Sequence, residues 1–262
     1  MKFKPYEKTK YTAHQPDEKA YITYTAAENA VWHELVHRQR QVVAHRACDD
    51  YLHGLDLLQL PEDRVPQCNE ISERLTKATG WSVVPVPALI SSNEFFTLIS
   101  RRQFPAASFV RTKDEIDYLE EPDMFHEIFG HCPMLTNPTY ADFMQRYGEL
   151  ALKASDEDRE LLARLYWFTV EFGLIQTEKG LRVYGGGILS SKNETIYALE
   201  STTPLRKPFS GLEALRTPYR IDILQPIYFV IHSFDELYAT LSMNIQDTLN
   251  KAKALGEYPP LF

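Results

Sequence analysis

The 262-residue sequence has no long basic run, and its formal net charge is −8. Nucleic-acid binding needs clustered lysine and arginine to neutralise phosphates, so this absence argues against a nucleic-acid partner. No apolar run approaches the roughly 20 residues of a membrane helix. Residues 1–5 also lack the apolar core of a signal peptide. We therefore expect a protein with neither a nucleic-acid nor a membrane partner.

Cysteine is scarce: the three are Cys48, Cys68 and Cys132, and no pair has the CxxC spacing. An odd number without metal-binding spacing predicts free thiols and a reducing, cytoplasmic location. The glycines at 185–187 lack the Gly-Lys-Ser/Thr ending of a phosphate loop. We interpret them instead as positions where two backbone segments approach closely.

Apolar residues make up 44% of the chain and charged residues 24%, which is typical of a soluble globular domain. The length suits one large domain. We expect a single domain over 1–262, with an extended N-terminal arm at 1–24 and a core at about 25–256. Aromatic residues reach 12%, which fits either an aromatic core or an aromatic-lined pocket.

Local signals predict most helices. Thr25 and Glu28 have capping-box spacing, so a long helix should run to about His53, where Gly54 can end it. Periodic apolar residues predict a strong helix over 156–174. One further helix should end at Gly80, three should start at Ser92, Asn137 and Ser191, and one should span 123–130. The last should run from Ser233 or Asp235 to near Gly256. Strands are predicted at 83–87, 109–110 and 181–184. The pattern indicates a mainly α-helical fold with a few short β-strands.

Two histidines, His126 and His131, stand five residues apart in a short predicted helix. On a regular helix their side chains would lie about 140° apart and could not share a face. Gly130 and Pro133 flank the second histidine, so the helix can end there and let that side chain turn back toward the first. The two residues are therefore either unrelated or two ligands of one metal ion.

Glu171 offers a third ligand forty residues later. It lies in residues 167–174, which are apolar nearly all round and should be buried. A buried carboxylate is costly unless a distant arginine or a metal ion satisfies it. Two histidines and one carboxylate leave coordination positions open, which suits non-haem iron(II), although the same ligands also serve hydrolytic zinc sites.

A family resemblance is carried by residues 121–131, 166–174, 184–191 and 225–226. These segments are similar to the catalytic domain of the pterin-dependent aromatic amino acid hydroxylases, most of all to the short bacterial phenylalanine 4-hydroxylases. The resemblance runs from about Val86 to Phe234. It implies a monomer that hydroxylates L-phenylalanine to L-tyrosine with O2, Fe(II) and tetrahydrobiopterin or a related tetrahydropterin.

The resemblance also leaves tyrosine or tryptophan possible as the substrate. Ile221 stands where tyrosine-acting members carry a carboxylate, which favours the unsubstituted ring of phenylalanine. Leu119 departs from animal phenylalanine-acting members, which have a threonine there that contacts the substrate backbone.

Site roles follow from the resemblance position by position. The metal ligands are His126, His131 and Glu171. The pterin residues are Leu89, Ile90, Ser91 and Ser92 through their backbone, Phe95 by stacking, and Glu127 through water, while Tyr166 lies near the iron. The substrate residues are Arg111 for the carboxylate, Asp123 to fix Arg111, Pro122, Trp167 and Phe172 to clamp the ring, and Gly187 and Ser190 beside them.

A rival motif occurs in the predicted first helix. His33, Glu34 and His37 match HExxH, whose histidines share a helix face and could hold a hydrolytic zinc ion. The metzincin continuation is missing, because Arg40 and Val43 stand where it needs glycine and histidine. A second rival is a binding module that keeps the fold without turnover. Zinc proteolysis and binding without catalysis are therefore the alternatives to hydroxylation.

Overall fold

In the computed structural model, residues 11, 13–242 and 245–262 are described. Eleven α-helices occur in this part of the chain: α1 Ala26–Val43, α2 Asp49–Leu58, α3 Cys68–Thr79, α4 Ser92–Ser100, α5 Pro138–Lys153, α6 Asp156–Tyr166, α7 Gly186–Leu189, α8 Lys192–Glu200, α9 Gly211–Arg216, α10 Phe234–Ser242 and α11 Ile245–Leu255. Six short strands accompany them: β1 Ser82–Val86, β2 Gln103–Ala107, β3 Leu174–Thr177, β4 Gly180–Val183, β5 Leu205–Pro208 and β6 Ile227–Ile231. The predicted mainly α-helical class with a few short strands is confirmed.

The strands form two small sheets. Strands β1 and β2 pair in parallel, with Ser82 opposite Gln103. The second sheet has the order β4-β3-β6-β5. Within it β3 and β4 form an antiparallel hairpin, whereas β6 runs parallel to both β3 and β5. The hairpin therefore joins residues just after Glu171 to residues just before the glycines at 185–187.

The core is rich in buried aromatic side chains, and two tyrosines also tie helical segments together. Tyr51 is fully buried and donates a hydrogen bond to the carbonyl of Phe129 at 2.7 Å. Tyr147 does the same to the carbonyl of Leu162, also at 2.7 Å. Buried tyrosines need such partners for their hydroxyl groups. The high aromatic content thus serves the core as well as the pocket described below.

Most helix-end signals in the sequence act as predicted. The Thr25–Glu28 capping box starts α1, and Asn137 caps α5, which has proline in its first turn. Gly80 ends α3 in the left-handed conformation, with φ of 78°. Ser191 caps α8. These are local interactions, so a short stretch of sequence is enough to specify them.

The predicted long helix over 25–53 is wrong, because the chain turns at residues 44–48 between α1 and α2. Ala47 forms a β-bridge with Val183, and the flanking N–H and carbonyl groups pair with that residue at 2.8–2.9 Å. Gly54 lies within α2 rather than ending it. A Cβ there would be 2.1 Å from the carbonyl oxygen of Pro133, so this glycine allows close packing.

Other boundaries also differ from the predictions. Ser91, not Ser92, caps α4. The predicted strand at 109–110 is irregular, and the strand nearby is β2. The helix predicted over 156–174 ends at Glu171, since Leu174 already pairs in β3. The predicted last helix is described as α10 and α11, with 243–244 outside the described residues.

The predicted extended arm lies partly outside the described residues, namely at 1–10 and 12. Its described part, residue 11 and residues 13–24, contains no helix or strand. Ile22 is buried there and exchanges backbone hydrogen bonds with the Gln67 amide. Within residues 11, 13–242 and 245–262, no helix is long and apolar enough to cross a membrane.

Candidate active site

The segment His126–His131 is one turn of π-helix, with the wider i→i+5 hydrogen-bonding pattern. Asp123 starts this turn by accepting a hydrogen bond from the backbone N–H of His126 at 3.0 Å. The prediction that the helix ends at Gly130 is therefore wrong, because the helix widens instead. The wider turn brings His126 and His131 to the same side, which a regular helix would not do.

A second π-turn covers Trp167–Glu171 at the end of α6. The N–H of Phe172 closes it by donating to the carbonyl of Trp167 at 2.8 Å. Isolated π-turns within helices are rare and occur frequently at functional sites. Both segments that carry predicted metal ligands therefore share the same unusual backbone.

The ligand atoms of His126, His131 and Glu171 form a small triangle. His131 Nε2 lies 3.1 Å from His126 Nε2 and 3.3 Å from Glu171 Oε2, and the third edge, between His126 Nε2 and Glu171 Oε2, is 3.7 Å. Two ligands at right angles around one metal ion, each about 2.1 Å from it, are about 3 Å apart. The three residues therefore fit a metal ion held on one face.

Ser190 determines which nitrogen of His126 can bind a metal. Its hydroxyl donates to the carbonyl of Gly186 at 2.9 Å, and its oxygen lies 2.9 Å from His126 Nδ1. Because the hydroxyl proton is already used, that oxygen accepts the proton of Nδ1. The Nε2 lone pair of His126 is then free and faces the other two ligands.

Two consecutive glycines form the wall behind the triangle. A Cβ on Gly186 would be 2.4 Å from the ring of His131, and a Cβ on Gly187 would be 3.1 Å from the carboxylate of Glu171. The His131 ring also packs against Phe104, with 5.3 Å between ring centroids. The interpretation of 185–187 as close-approach glycines is thus supported by the packing of α7 against both π-turns.

Burial and mutual charge set the protonation of the three ligands. Burial lowers the pKa of His126 to about 4, so it is neutral at pH 7 and able to coordinate. Burial alone would raise the pKa of Glu171, but His131, His126 and the N–H of Gly187 hold it below its ordinary value. Burial would lower the pKa of His131, yet the Glu171 carboxylate raises it.

Glu127 follows the first ligand directly and is partly buried. Burial raises the pKa of its carboxyl to about 8. Tyr166 precedes the second π-turn. Burial and then the charges of Glu171 and Glu127 raise the pKa of its hydroxyl well above the ordinary value. Both side chains therefore belong to the electrostatic surroundings of the triangle.

The segment predicted to bind pterin lies at the start of α4. Leu89, Ile90 and Ser91 are irregular backbone, and Ser92 is the first helical residue. Phe95 is partly exposed, and its ring packs edge-on against Tyr166 at 5.7 Å. This contact connects the segment 89–95 to the helix that carries Glu171.

Arg111 and Asp123 form a buried bidentate ion pair. Arg111 Nε and Nη2 donate to the two carboxylate oxygens of Asp123, both at 2.9 Å, and the Arg111 backbone N–H donates to the same group at 3.0 Å. Burial would raise the pKa of Asp123, but Arg111 holds it below its ordinary value. One edge of the guanidinium is thus fixed, and its other edge contains Nη1, the group suited to a second carboxylate. Pro122, partly buried, directly precedes Asp123.

An aromatic stack is centred on Trp167. Its ring lies 4.4 Å from that of Phe172 and 4.4 Å from that of Tyr219. Its indole N–H donates to the amide oxygen of Gln225 at 3.0 Å. Trp167 and Phe172 were predicted pocket residues, whereas Tyr219 and Gln225 had no predicted site role. Two sequence signals pointed toward this segment: the Gln225-Pro226 pair within the family resemblance, and Ile221.

The HExxH helix face has a different role from metal binding. His33 and His37 are exposed, and Glu34 is paired with Lys113. Arg38, one turn later, binds Asp117 at 2.5 Å. Among the residues that the structure describes, no third ligand joins the two histidines. This face therefore attaches α1 to the segment that follows Arg111, and the zinc-hydrolase alternative gains no support.

A family model described as biopterin-dependent aromatic amino acid hydroxylase matches residues 3–258. This chain belongs to that family. The phenylalanine-4-hydroxylase of Pseudomonas aeruginosa is 53% identical over 254 residues, which cover 97% of each chain. The predicted family resemblance is thus confirmed.

Solved structures of family members show the same fold. The phenylalanine hydroxylase of Legionella pneumophila superposes with a TM-score of 0.94 at 51% identity, covering 95% of this chain and 99% of its own. The Chromobacterium violaceum enzyme with bound oxidised Fe(III) superposes with a TM-score of 0.89 at 42% identity, covering 94% and 89%. The family's dependence on biopterin agrees with the predicted cofactor.

Proposed function

We propose that this protein is a phenylalanine 4-hydroxylase, which converts L-phenylalanine and O2 to L-tyrosine with Fe(II) and a tetrahydropterin. The observation that carries the proposal is the triangle of His126, His131 and Glu171. Its three ligand atoms lie within 4.8 Å of one another, so they would occupy only one face of a metal ion held there. The remaining coordination positions stay open for a reaction beside an aromatic pocket.

Iron and tetrahydropterin, when bound, together supply the activation of oxygen for insertion into an aromatic C–H bond. The chain's own residues orient the reactants. Ser190 keeps Nε2 of His126 directed to the metal position. Segment 89–92 and Phe95 would hold the pterin ring, Glu127 would reach it through water, and Tyr166 would lie near the iron. Planar stacking on Phe95 suits a flat bicyclic ring.

The amino acid is held at two ends. Arg111 binds its carboxylate through the guanidinium edge that Asp123 leaves available. Trp167, Phe172 and Pro122 clamp its ring, with Gly187 and Ser190 beside them. Holding both ends directs one ring carbon toward the metal position. Such positioning lowers the entropic part of the activation barrier.

Phenylalanine is favoured over tyrosine by the residue at position 221. Ile221 is partly buried in the loop that carries Tyr219, the stacking partner of Trp167. An apolar side chain there matches an unsubstituted ring and gives a phenolic hydroxyl no hydrogen-bond partner. The 53% identity to a phenylalanine-4-hydroxylase supports the same choice.

We also propose that residues 1–262 act as one catalytic domain, as a monomer in the cytoplasm. Two observations support a single unit. The family model spans residues 3–258, and one hydrophobic cluster contains buried residues from Val31 to Ala252.

The test is aerobic turnover by metal-stripped protein supplied with phenylalanine and tetrahydropterin, adding back either iron(II) or zinc(II). Tyrosine formation with iron(II) alone is the expected result. If neither metal yields tyrosine from phenylalanine, but added tryptophan or tyrosine is hydroxylated, the proposal changes to that substrate. Pterin binding without any product would support a binding module instead.

A further inference from the structure

Gln225 is a buried amide with a full set of hydrogen bonds. Its side chain is 1% exposed. The amide oxygen accepts from Trp167 Nε1 at 3.0 Å. The amide nitrogen donates to the carbonyls of Arg220 at 2.9 Å and Ile223 at 3.0 Å. Both donor protons are therefore used, and the oxygen is fixed toward the indole.

The two ends of this amide hold different parts of one pocket wall. Its oxygen holds the indole of Trp167, which stacks on Phe172. Its nitrogen holds the loop 219–223, which contains Tyr219 and Ile221. Tyr219 closes the arrangement by stacking on Trp167 with ring planes only 17° apart. Segments 52 residues or more apart in sequence thus meet at a single side chain.

The backbone of Gln225 is fixed as well. Its N–H donates to Glu194 at 3.1 Å, and the same carboxylate accepts a hydrogen bond from the hydroxyl of Tyr228. Strand β6 begins two residues later at Ile227. Because the backbone of Gln225 is held in place, its side chain can fix the positions of Trp167 and the loop 219–223.

We propose that Gln225 is a positioning residue that sets the distance between Trp167 and the loop 219–223, and thereby the fit of the aromatic substrate ring. This inference rests on the proposed function. It adds a residue that never touches the substrate and acts through two that line the pocket. Loss of the amide releases both Trp167 and the loop 219–223, whereas the residues that would bind metal and pterin keep their own contacts.

The test compares Q225L, W167F and the double variant by steady-state kinetics with phenylalanine and tetrahydropterin varied separately. Q225L should raise the KM for phenylalanine on the order of tenfold, because it leaves the indole N–H and two carbonyls unpaired, and it should leave the KM for tetrahydropterin within about twofold. W167F alone removes the same N–H. In the Q225L background it should add less than it does in the wild type, because the shared hydrogen bond is already lost.

Q67L is the matched control. Gln67 is also a buried amide with both ends bonded, but it holds Ile22 of the N-terminal arm. It should leave the KM for phenylalanine unchanged. If Q67L raised that KM as much as Q225L, or if the effects of Q225L and W167F multiplied in full, the proposal would be overturned.

Q225E keeps the proposal testable if Q225L does not fold. Glutamate still offers an oxygen to Trp167 but cannot donate to the two loop carbonyls. The expected result is a several-fold fall in the ratio of kcat/KM for phenylalanine to that for tryptophan, and an unchanged ratio contradicts the inference. Wild-type turnover measured in parallel separates a failure of this inference from a failure of the proposed function.

Discussion

At the scale of single residues, Ser190 shows how a neutral hydroxyl can orient a proposed metal ligand. It uses its proton on the carbonyl of Gly186 and therefore must accept from Nδ1 of His126. The direction of one hydrogen bond thus decides which nitrogen is available to iron. The family resemblance placed Ser190 beside the substrate, and the structure adds this link to the ligand.

Replacing Ser190 with alanine should weaken iron binding by about 10- to 100-fold, since partners of metal-bound histidines contribute on this scale. The measurement is competition with a coloured chelator at fixed pH. S100A is the control, because that hydroxyl donates only to Thr97 at the end of α4. Equal iron affinity in S190A and wild type would contradict the assignment.

Arg111 illustrates why charge alone would not be enough at the proposed substrate site. Asp123 occupies one edge of its guanidinium, and a lysine cannot bind two carboxylates in this planar way. R111K should therefore raise the KM for phenylalanine by about 100-fold or more while iron content stays at the wild-type level. R146K, changed at a partly exposed pair with Glu149, provides the comparison. Loss of iron in R111K would show instead that the pair mainly supports the fold.

At the scale of elements, sequence reasoning worked where a signal and its effect lie within one turn. The capping box at Thr25 and the cap at Asn137 are examples. It failed where the decisive partner is far along the chain. No local signal near Ala47 predicts the bridge to Val183 that interrupts the predicted first helix. The hydrogen bonds of Gln225 likewise reach Trp167, 58 residues away.

The three predicted metal ligands lie together as their chemistry suggested, but the predicted geometry was wrong. A buried carboxylate and a pair of histidines predicted His126, His131 and Glu171 correctly as neighbours. The 100° periodicity of an α-helix cannot describe a π-turn, so the sequence suggested a helix end at Gly130 instead. Residue chemistry is thus easier to deduce than the local backbone that arranges it.

Helix α2 offers a stability test at this scale. Glycine to alanine within a helix normally stabilises by about 1 kcal/mol. In G54A the added Cβ would lie 2.1 Å from the carbonyl oxygen of Pro133 before any adjustment, so the substitution should lower the free energy of unfolding instead of raising it. We expect a net loss of about 1–3 kcal/mol, measured by urea unfolding. D56A, exposed on the same helix, should stay within about 0.5 kcal/mol of wild type.

At the scale of the whole molecule, the triangle joins segments that are forty residues apart, one after Asp123 and one after α6. An ion bound there acts as a crosslink present only in the folded state. Its contribution to stability follows from mass action and grows with the ratio of free metal to the dissociation constant.

Iron(II) at about 100 times its dissociation constant should stabilise the metal-stripped protein by about 2.7 kcal/mol, or roughly 5–10 °C in Tm for a chain of this size. Anaerobic differential scanning fluorimetry measures this shift. E171A should abolish it, whereas E178A, changed at an exposed glutamate, should retain it. A full shift in E171A would remove Glu171 from the ligand set.

The break between α1 and α2 has a consequence for the order of events during synthesis. Ala47 leaves the ribosome 136 residues before its partner Val183, an interval of roughly 7–27 s at ordinary translation rates. Until then, local signals alone act on the nascent chain, and those signals favour the uninterrupted helix that the sequence predicts from Thr25 to about His53. We therefore expect the emerging N-terminal segment to be helical through residues 44–48, with the turn imposed only when β4 is made.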